Sequence, residues 1–226
     1  MQPINERALK LGDDSLILGQ RLSEWCGHAP MLEVDLALAN IALDLIGQAT
    51  LFLGRAGDPD ALAFRRDVLD FRNCLLVEQP NGDFAQTVAR LFLFSNWQEL
   101  MLRDLCSSDE FGDIARKSVK EVAYHARYAS EWVVRLGDGT DESRGRMIAG
   151  LDWMWRFTPE LFEGDAAPLR GEWDARIDAV LGDAGLDRPK DSRPILGGRK
   201  GHHSEHLGHL LTEMQFLQRA YPGATW

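Results

Sequence analysis

The stretch LEVDLALANIALDLIGQATLFLG, residues 32–54, decides the fold of this 226-residue chain. Between Leu36 and Ile46, every residue is apolar except Asn40 and Asp44. A helix that is apolar almost all round is typical of a buried position in a protein core. We therefore expect residues 32–54 to form a central helix that its neighbours cover on every side.

The rest of the chain repeats its apolar residues every three to four positions, which is the helical period. Turn and cap residues divide it into further predicted helices over residues 4–26, 58–76, 84–106, 142–162, 172–181 and 203–220, and one that starts at Ser107–Glu110 and ends at Gly137. No segment has the alternating pattern of a strand pair. We expect an all-α bundle with long core helices and additional peripheral helices, in a single domain spanning residues 1–226.

Composition excludes several classes of protein. The net charge of −10 argues against nucleic-acid binding, which needs clustered Lys and Arg. No uninterrupted apolar run approaches the roughly 18 residues of a membrane span, and the charged N-terminus lacks an apolar signal core. We therefore expect a cytoplasmic protein that binds neither nucleic acid nor membrane. Cys26, Cys74 and Cys106 lack metal-type spacing and are interpreted as reduced thiols.

A polar stripe runs along the central helix, because Glu33, Asn40, Asp44 and Gln48 follow one another at spacings of seven, four and four. Buried charges are either paired or bind metals. We favour a satisfied internal network over a catalytic carboxylate. The predicted buried polar network comprises Glu33, Asn40, Asp44, Gln48, Glu121 and His125.

None of the six histidines has a Glu or Asp three residues before it. Di-iron carboxylate bundles use Glu-x-x-His on two helices, so no such ligand pair can form here. Three Glu-x-x-x-His pairs occur, at Glu24/His28, Glu121/His125 and Glu205/His209, and this spacing favours helical ion pairs. We predict no metal ligand and no catalytic residue. The alternative, an autonomous di-iron enzyme, would need the atypical set Asp44, Glu121, His125, Glu205 and His209.

Two short segments are candidates for contacts at the edge of a substrate site. Gly197–Gly201 contains Arg199 and Lys200 just before a helix, where a phosphate could bind, although the Walker spacing is absent. Asp70-Phe71-Arg72-Asn73 mixes polar and aromatic groups and is interpreted as a surface face. A second alternative function, an acyl-CoA-binding protein, would act through these cations. The tract His202, His203, His206 and His209 is interpreted as a solvated or interface face.

Three long motifs carry a family resemblance. They are Leu22–Pro30 followed by Glu33–Asn40, then Leu75–Ala85, and Glu205–Gly208 with Glu213–Gln215, to which Trp155–Thr158 adds a fourth stretch. Together they extend from end to end of the chain. They resemble the C-subunit family of the bacterial ring-1,2-phenylacetyl-CoA epoxidases, which are phenylacetyl-CoA monooxygenases.

The resemblance implies a ferritin-like fold and a structural role. In this family the A subunit holds the di-iron site and binds the CoA thioester, and the C subunit supports it. A reductase with flavin and an iron–sulfur cluster supplies electrons from NAD(P)H. Leu45, Gln48 and Val122 stand where ligands of a Glu-x-x-His site would be, so no catalytic residue is carried over. The connection at residues 163–171 is short relative to the family, which weakens any substrate contact there.

The implied partners are therefore the A subunit and the other epoxidase components, with self-association expected when the chain is alone. An obligate complex buries an apolar centre in which aromatic residues are concentrated. Trp153, Trp173 and Trp226 are the candidates for that centre, although core packing is the commoner role of a tryptophan.

Overall fold

The computed structural model describes residues 5–190 and 193–224, and within these ranges the chain is helical and contains no strand. The all-α prediction is confirmed. The described helices are α1 (Glu6–Ser23), α2 (Leu32–Leu53), α3 (Pro59–Phe64), α4 (Leu75–Glu78), α5 (Phe84–Leu105), α6 (Gly112–Gly137), α7 (Asp141–Trp155), α8 (Arg170–Asp183) and α9 (Glu205–Ala220). Short 3-10 helices occur at Val68–Asp70, Thr158–Phe162, Gly164–Leu169 and Gly198–Lys200.

The chain divides into two compact units, one formed by residues 1–80 with 196–226 and the other by residues 81–195. The first unit contains α1 to α4 and α9, and the second contains α5 to α8. The expectation of a single domain over residues 1–226 stays a prediction.

The first unit is built on the pair of α1 and α2. The two helices are antiparallel, since the earlier glycine of α1 lies against the end of α2 and the later one lies against its middle. A Cβ on Gly12 would come within 2.7 Å of the Leu53 side chain, and one on Gly19 within 3.1 Å of Ile46. Residues without a side chain therefore allow the two helices to approach closely at two points along the pair.

The predicted helix over residues 58–76 is wrong. Helix α3 ends at Phe64, and α4 begins only at Leu75. Between them lies the 3-10 helix Val68–Asp70, and two N–H groups that follow it bind side chains of α1 instead of helical carbonyls. The Arg72 N–H donates to Asp13 at 2.8 Å and the Cys74 N–H donates to Asp14 at 2.7 Å.

The second unit is built around α5. Eighteen of the 22 residues of α5 are buried, including polar ones such as Arg90, Asn96 and Gln98. Helices α6, α7 and α8 all pack against it. Asp83 caps its start by accepting a 2.9 Å hydrogen bond from the Gln86 N–H, at the boundary of the predicted helix over residues 84–106.

Helix α7 is shorter than the predicted helix over residues 142–162. It ends at Trp155, and a 3-10 helix follows at Thr158–Phe162. Pro159 explains the break, because proline lacks the N–H that would bond to the Trp155 carbonyl in a continuing α-helix.

Helix α2 is not covered on every side, which corrects the expectation for the stretch at residues 32–54. Nine of its 22 residues are buried, and several of its leucines are exposed. Contrary to our expectation from apolar runs, α2 is also long and apolar enough to span a membrane by length and composition alone. Its acidic residues interrupt the apolar run, but the mean hydropathy of the helix is still high enough for a membrane span. The core helix of a soluble protein meets the same criterion.

Candidate functional site

The most concentrated polar chemistry of the first unit is a buried cluster on the inner side of α1. Asp13 and Asp14 are 0% and 1% exposed. Asp13 forms an ion pair with Arg66, whose Nη1 lies 3.0 Å from one of its oxygens. Asp14 forms an ion pair with Arg199 at 2.7 Å. Two adjacent carboxylates thus bind two arginines from different segments of the chain.

A second part of the cluster joins α4 to the start of α9. The Glu78 carboxylate accepts hydrogen bonds from the Asn73 side chain at 2.9 Å and from the Ser204 N–H at 2.6 Å. The same carboxylate lies 2.8 Å from Nδ1 of His203, and the other ring nitrogen, Nε2, lies 3.0 Å from the Phe71 carbonyl oxygen. Both side chains of the Glu78–His203 pair are 0% exposed.

These contacts fix the orientation of the His203 ring. A carbonyl oxygen can only accept a hydrogen bond, so Nε2 must carry a proton. Nδ1 and the Glu78 carboxylate share one proton across their 2.8 Å hydrogen bond, so the two side chains are bonded to each other as well as to their neighbours.

Burial dominates the electrostatics of the two aspartates. Desolvation raises the pKa of Asp13, and the guanidinium group of Arg66 opposes that rise. Desolvation likewise raises the pKa of Asp14 against the opposing charge of Arg199. Since every carboxylate of the cluster has a basic partner and backbone donors, the cluster fastens residues 65–74 and 197–204 to α1 and α4. The cluster therefore has the properties of a structural element that stabilises the fold.

Sequence reasoning missed this cluster. It identified Arg199 and Asn73, but as candidates for substrate contacts, and it did not single out Asp13, Asp14 or Glu78. The available signal was the Asp13–Asp14 pair within the apolar pattern LKLGDDSLIL of α1, since acids in such a place require buried partners.

The predicted polar stripe of α2 is not a buried network. Glu33 and Asn40 are exposed, Asp44 is half-buried and Gln48 is buried. The pattern misled because the stripe lies partly on the side of α2 that its own unit leaves uncovered. Glu121 is half-buried and His125 is fully buried, and both lie on α6 in the second unit.

The residues of the atypical metal set are divided between the two units. Glu205 and His209 are exposed on α9, whereas Glu121 and His125 belong to the other unit. Over residues 5–190 and 193–224, no group of three or more His, Cys, Asp or Glu side chains could hold a metal ion.

The candidates for substrate contacts have different surroundings. Phe71 and Asn73 are fully buried, which corrects the interpretation of residues 70–73 as a surface face. The side chain of Arg199 is 8% exposed and is engaged by Asp14. Asp70 and Lys200 are exposed, and the Arg72 guanidinium donates to the carbonyls of Leu69 and Phe71. The structure thus uses most of these groups to hold its own segments.

The histidine tract is only partly a surface face. His202 and His209 are exposed and His206 is half-buried, as expected, but the His203 side chain is buried against Glu78. The three cysteines, all within the described residues, form no disulfide: Cys26 is exposed, Cys106 is half-buried and Cys74 is buried.

The three tryptophans proposed for an interface centre also differ. Trp173 is 0% exposed and donates its indole N–H to the Leu93 carbonyl at 3.0 Å, so it is a core residue of the second unit. Trp153 is 38% exposed, with the Arg156 guanidinium 4.7 Å from its ring centre. Trp226 lies outside the described residues.

At the ligand positions that the family resemblance gives, the described residues do not fit a di-iron centre. At the positions where Glu-x-x-His ligands would stand, the structure has Leu45, Gln48 and Val122, all buried. Leucine and valine have no ligand atom. In addition, the carboxylate-rich part of the first unit is occupied by arginine, histidine and backbone partners.

These features define a class, an all-α protein of the ferritin-like kind without the ligand spacing of its di-iron members. Residues 2–226 match the family described as phenylacetic acid catabolic protein (PaaA_PaaC), and the chain belongs to this family. It is also similar to the C subunit of the 1,2-phenylacetyl-CoA epoxidase of Escherichia coli (strain K12), at 45% identity over 248 aligned residues that cover 100% of both chains. The resemblance found from the sequence motifs is confirmed.

Proposed function

We propose that this chain is the non-catalytic structural subunit of a multicomponent phenylacetyl-CoA 1,2-epoxidase of aerobic phenylacetate catabolism. The observation that carries the proposal is the end-to-end 45% identity with the C subunit of such an epoxidase. The absence of any acid three residues before a histidine supports it, because the chain cannot form the ligand pairs of a di-iron bundle.

In this proposal the reaction belongs to the partner. The A subunit holds the di-iron site and the thioester, and a reductase with flavin and an iron–sulfur cluster passes it two electrons from NAD(P)H. One oxygen atom of O2 enters the aromatic ring as an epoxide and the other leaves as water. This chain contributes shape and stability to the A subunit, and the complex acts in the cytoplasm.

The buried cluster suits a scaffolding role. A supporting subunit must present a fixed surface, and Asp14–Arg199 and Glu78–His203 fasten two irregular segments that would otherwise be mobile connections. The cluster has no open face on which a substrate could meet its charges, since its carboxylates are buried and already bonded.

The test is reconstitution. The chain, the A subunit and the reductase are purified separately, and epoxide formation from phenylacetyl-CoA is measured for each combination. We expect activity only when the A subunit is present, and higher activity when this chain is added to it. Activity from this chain and the reductase alone would contradict the structural role.

Iron analysis provides an independent arm. After aerobic iron loading, the purified chain should contain no stoichiometric iron. A content of about two irons per chain, the stoichiometry of a di-iron site, that disappears in the Asp44→Ala variant but persists in Glu33→Ala would instead support the autonomous enzyme. Glu33→Ala is the matched control, because it removes an exposed carboxylate from the same helix.

A further inference from the structure

Helix α2 has a second apolar face that the first unit does not cover. Leu32, Leu36, Leu43 and Leu51 are 70%, 56%, 66% and 37% exposed. The opposite face of α2, which includes Leu38, Ile41, Leu45 and Phe52, is buried within the chain. We refer to Leu32, Leu36, Leu43 and Leu51 as the α2 leucine stripe.

The stripe is more than a set of scattered exposed leucines. At about 1.5 Å of rise per residue it extends roughly 28 Å along one face of α2, which it shares with the exposed Asn40 and Thr50. Single exposed leucines are ordinary, but large apolar side chains gathered on one face of a surface helix often mark interaction sites. A stable interface needs about 800 Å2 from each partner, so the occupant must also cover surface beside α2.

The shape of the stripe favours a helix as its occupant. Gly47 lies among the exposed residues of α2, and a Cβ placed on it would meet nothing within 4 Å. Small residues in an apolar stripe allow a second helix to approach closely, as in ridges-into-grooves packing.

The charge of α2 decides between occupants. Its ionisable residues are Glu33, Asp35 and Asp44, and residues 32–53 contain no Lys, Arg or His. A second copy that docked through the same stripe would bring acidic residues of one α2 towards those of the other, which is unfavourable. A helix with an apolar stripe flanked by Lys or Arg would complement both the leucines and Glu33, the exposed acid of α2.

We propose that the α2 leucine stripe is the docking face for such a helix of a different chain. This inference rests on the proposed function, because it identifies that chain with the A subunit of the epoxidase. It also gives a reason for the composition of α2, since one apolar face serves the fold of the chain and the other serves the complex.

The experiment measures binding of the purified A subunit to immobilised chain. The Leu36→Asp/Leu43→Asp variant tests the stripe, and Leu69→Asp/Leu217→Asp is the control, because it adds the same charges at exposed leucines elsewhere in the first unit. We expect the stripe variant to weaken binding at least a hundredfold and the control to change it less than threefold. Circular dichroism checks that each variant is folded. If the Leu36→Asp/Leu43→Asp variant does not fold, Leu36→Ser/Leu43→Ser is used in its place.

A charge reversal sharpens the test. Glu33→Lys should weaken binding several-fold and reduce its dependence on salt, since the favourable attraction to a basic partner is lost. Tighter binding by Glu33→Lys would overturn the basic character assigned to the partner.

The outcomes separate this inference from the proposed function. Wild-type binding that the stripe variant retains would overturn the docking face and leave the structural role intact. No binding by wild-type chain would contradict the proposed partner. In that case the mass of the chain alone is measured by light scattering. A wild-type dimer that becomes a monomer in the stripe variant but not in the control would show that a second copy covers the stripe.

Discussion

Helices α2 and α5 have the same length, but the more apolar of the two is the less buried. Each has 22 residues. Helix α2 is the more apolar, yet nine of its residues are buried, whereas α5 contains Arg90, Asn96 and Glu99 and has 18 buried residues. Hydropathy alone would have placed α2 at the centre of the protein.

The difference shows what satisfies a buried helix. On α5 two of the buried polar side chains illustrate this: the Asn96 side chain donates to the Phe92 carbonyl at 2.9 Å, and Glu99 pairs with Arg176 at 3.0 Å. Burial of polar groups is tolerated when each is bonded. On α2 the four leucines of the α2 leucine stripe are exposed. A mainly apolar helix can therefore belong to an interface, and a mixed helix can belong to a core.

The largest expected change in the free energy of unfolding comes from truncating a large side chain to alanine on each of these two helices. Phe92→Ala removes a fully buried ring from α5 and should lower the free energy of unfolding by about 3–5 kcal/mol. Leu43→Ala on the outer side of α2 should change it by no more than about 0.5 kcal/mol. Urea denaturation of the isolated chain measures both. A comparable loss for Leu43→Ala would mean that α2 is covered on all sides after all.

The second comparison concerns carboxylates. Asp14→Ala leaves the Arg199 guanidinium buried without its ion pair and should lower the free energy of unfolding by about 3–5 kcal/mol. Asp44→Ala is the matched control on α2, and because Asp44 is half-buried its loss should matter by about 1 kcal/mol or less. Equal effects would place Asp44 in the buried network that its sequence pattern predicted.

Two glycines test the covered and uncovered sides of the α1–α2 pair. A Cβ on Gly12 would lie 2.7 Å from the Leu53 side chain, so Gly12→Ala should lower the free energy of unfolding by about 1–3 kcal/mol through overpacking. Gly47 has open space around it, so Gly47→Ala should raise that free energy by about 0.4–1 kcal/mol. Thermal melts of the two variants should therefore shift in opposite directions.

The smallest effect is a titration on α6, which packs against α5. Burial raises the pKa of Tyr128 to about 12, so folding favours its neutral form. The stability that Tyr128 contributes is complete below the ordinary tyrosine pKa of about 10 and is lost as the pH rises from there through its folded pKa. In an absorbance titration at the tyrosinate band, Tyr128→Phe should remove the latest-titrating component. Titration of that component near 10 would show that water reaches the Tyr128 hydroxyl.

The sequence predicted the helical class and several boundaries for local reasons. Asp83 is a capping residue at the start of α5, and Gly137 ends α6 where the pattern indicated. The helix expected over residues 58–76 failed because its breaking interactions are distant along the chain. The Arg72 and Cys74 N–H groups bind carboxylates about sixty residues away. Local propensity contains no information about such partners.

The candidate residues show the same division. The missing Glu-x-x-His spacing and the family motifs are properties of neighbouring residues, so they were available at once, and the family assignment follows from them. The Glu78–His203 pair joins residues 125 positions apart, and Phe71 and Asn73 were interpreted as surface groups before their burial was known.

By itself, the sequence determined that this chain is all-α, that it belongs to the phenylacetic acid catabolic protein family, and that it lacks the ligand spacing of a di-iron bundle. These properties depend on residue type and short spacings. Only the tertiary structure decided which apolar helix is covered, which acids are paired and which leucines remain exposed. Burial depends on what packs against each face, and that is set by contacts between segments far apart in the chain.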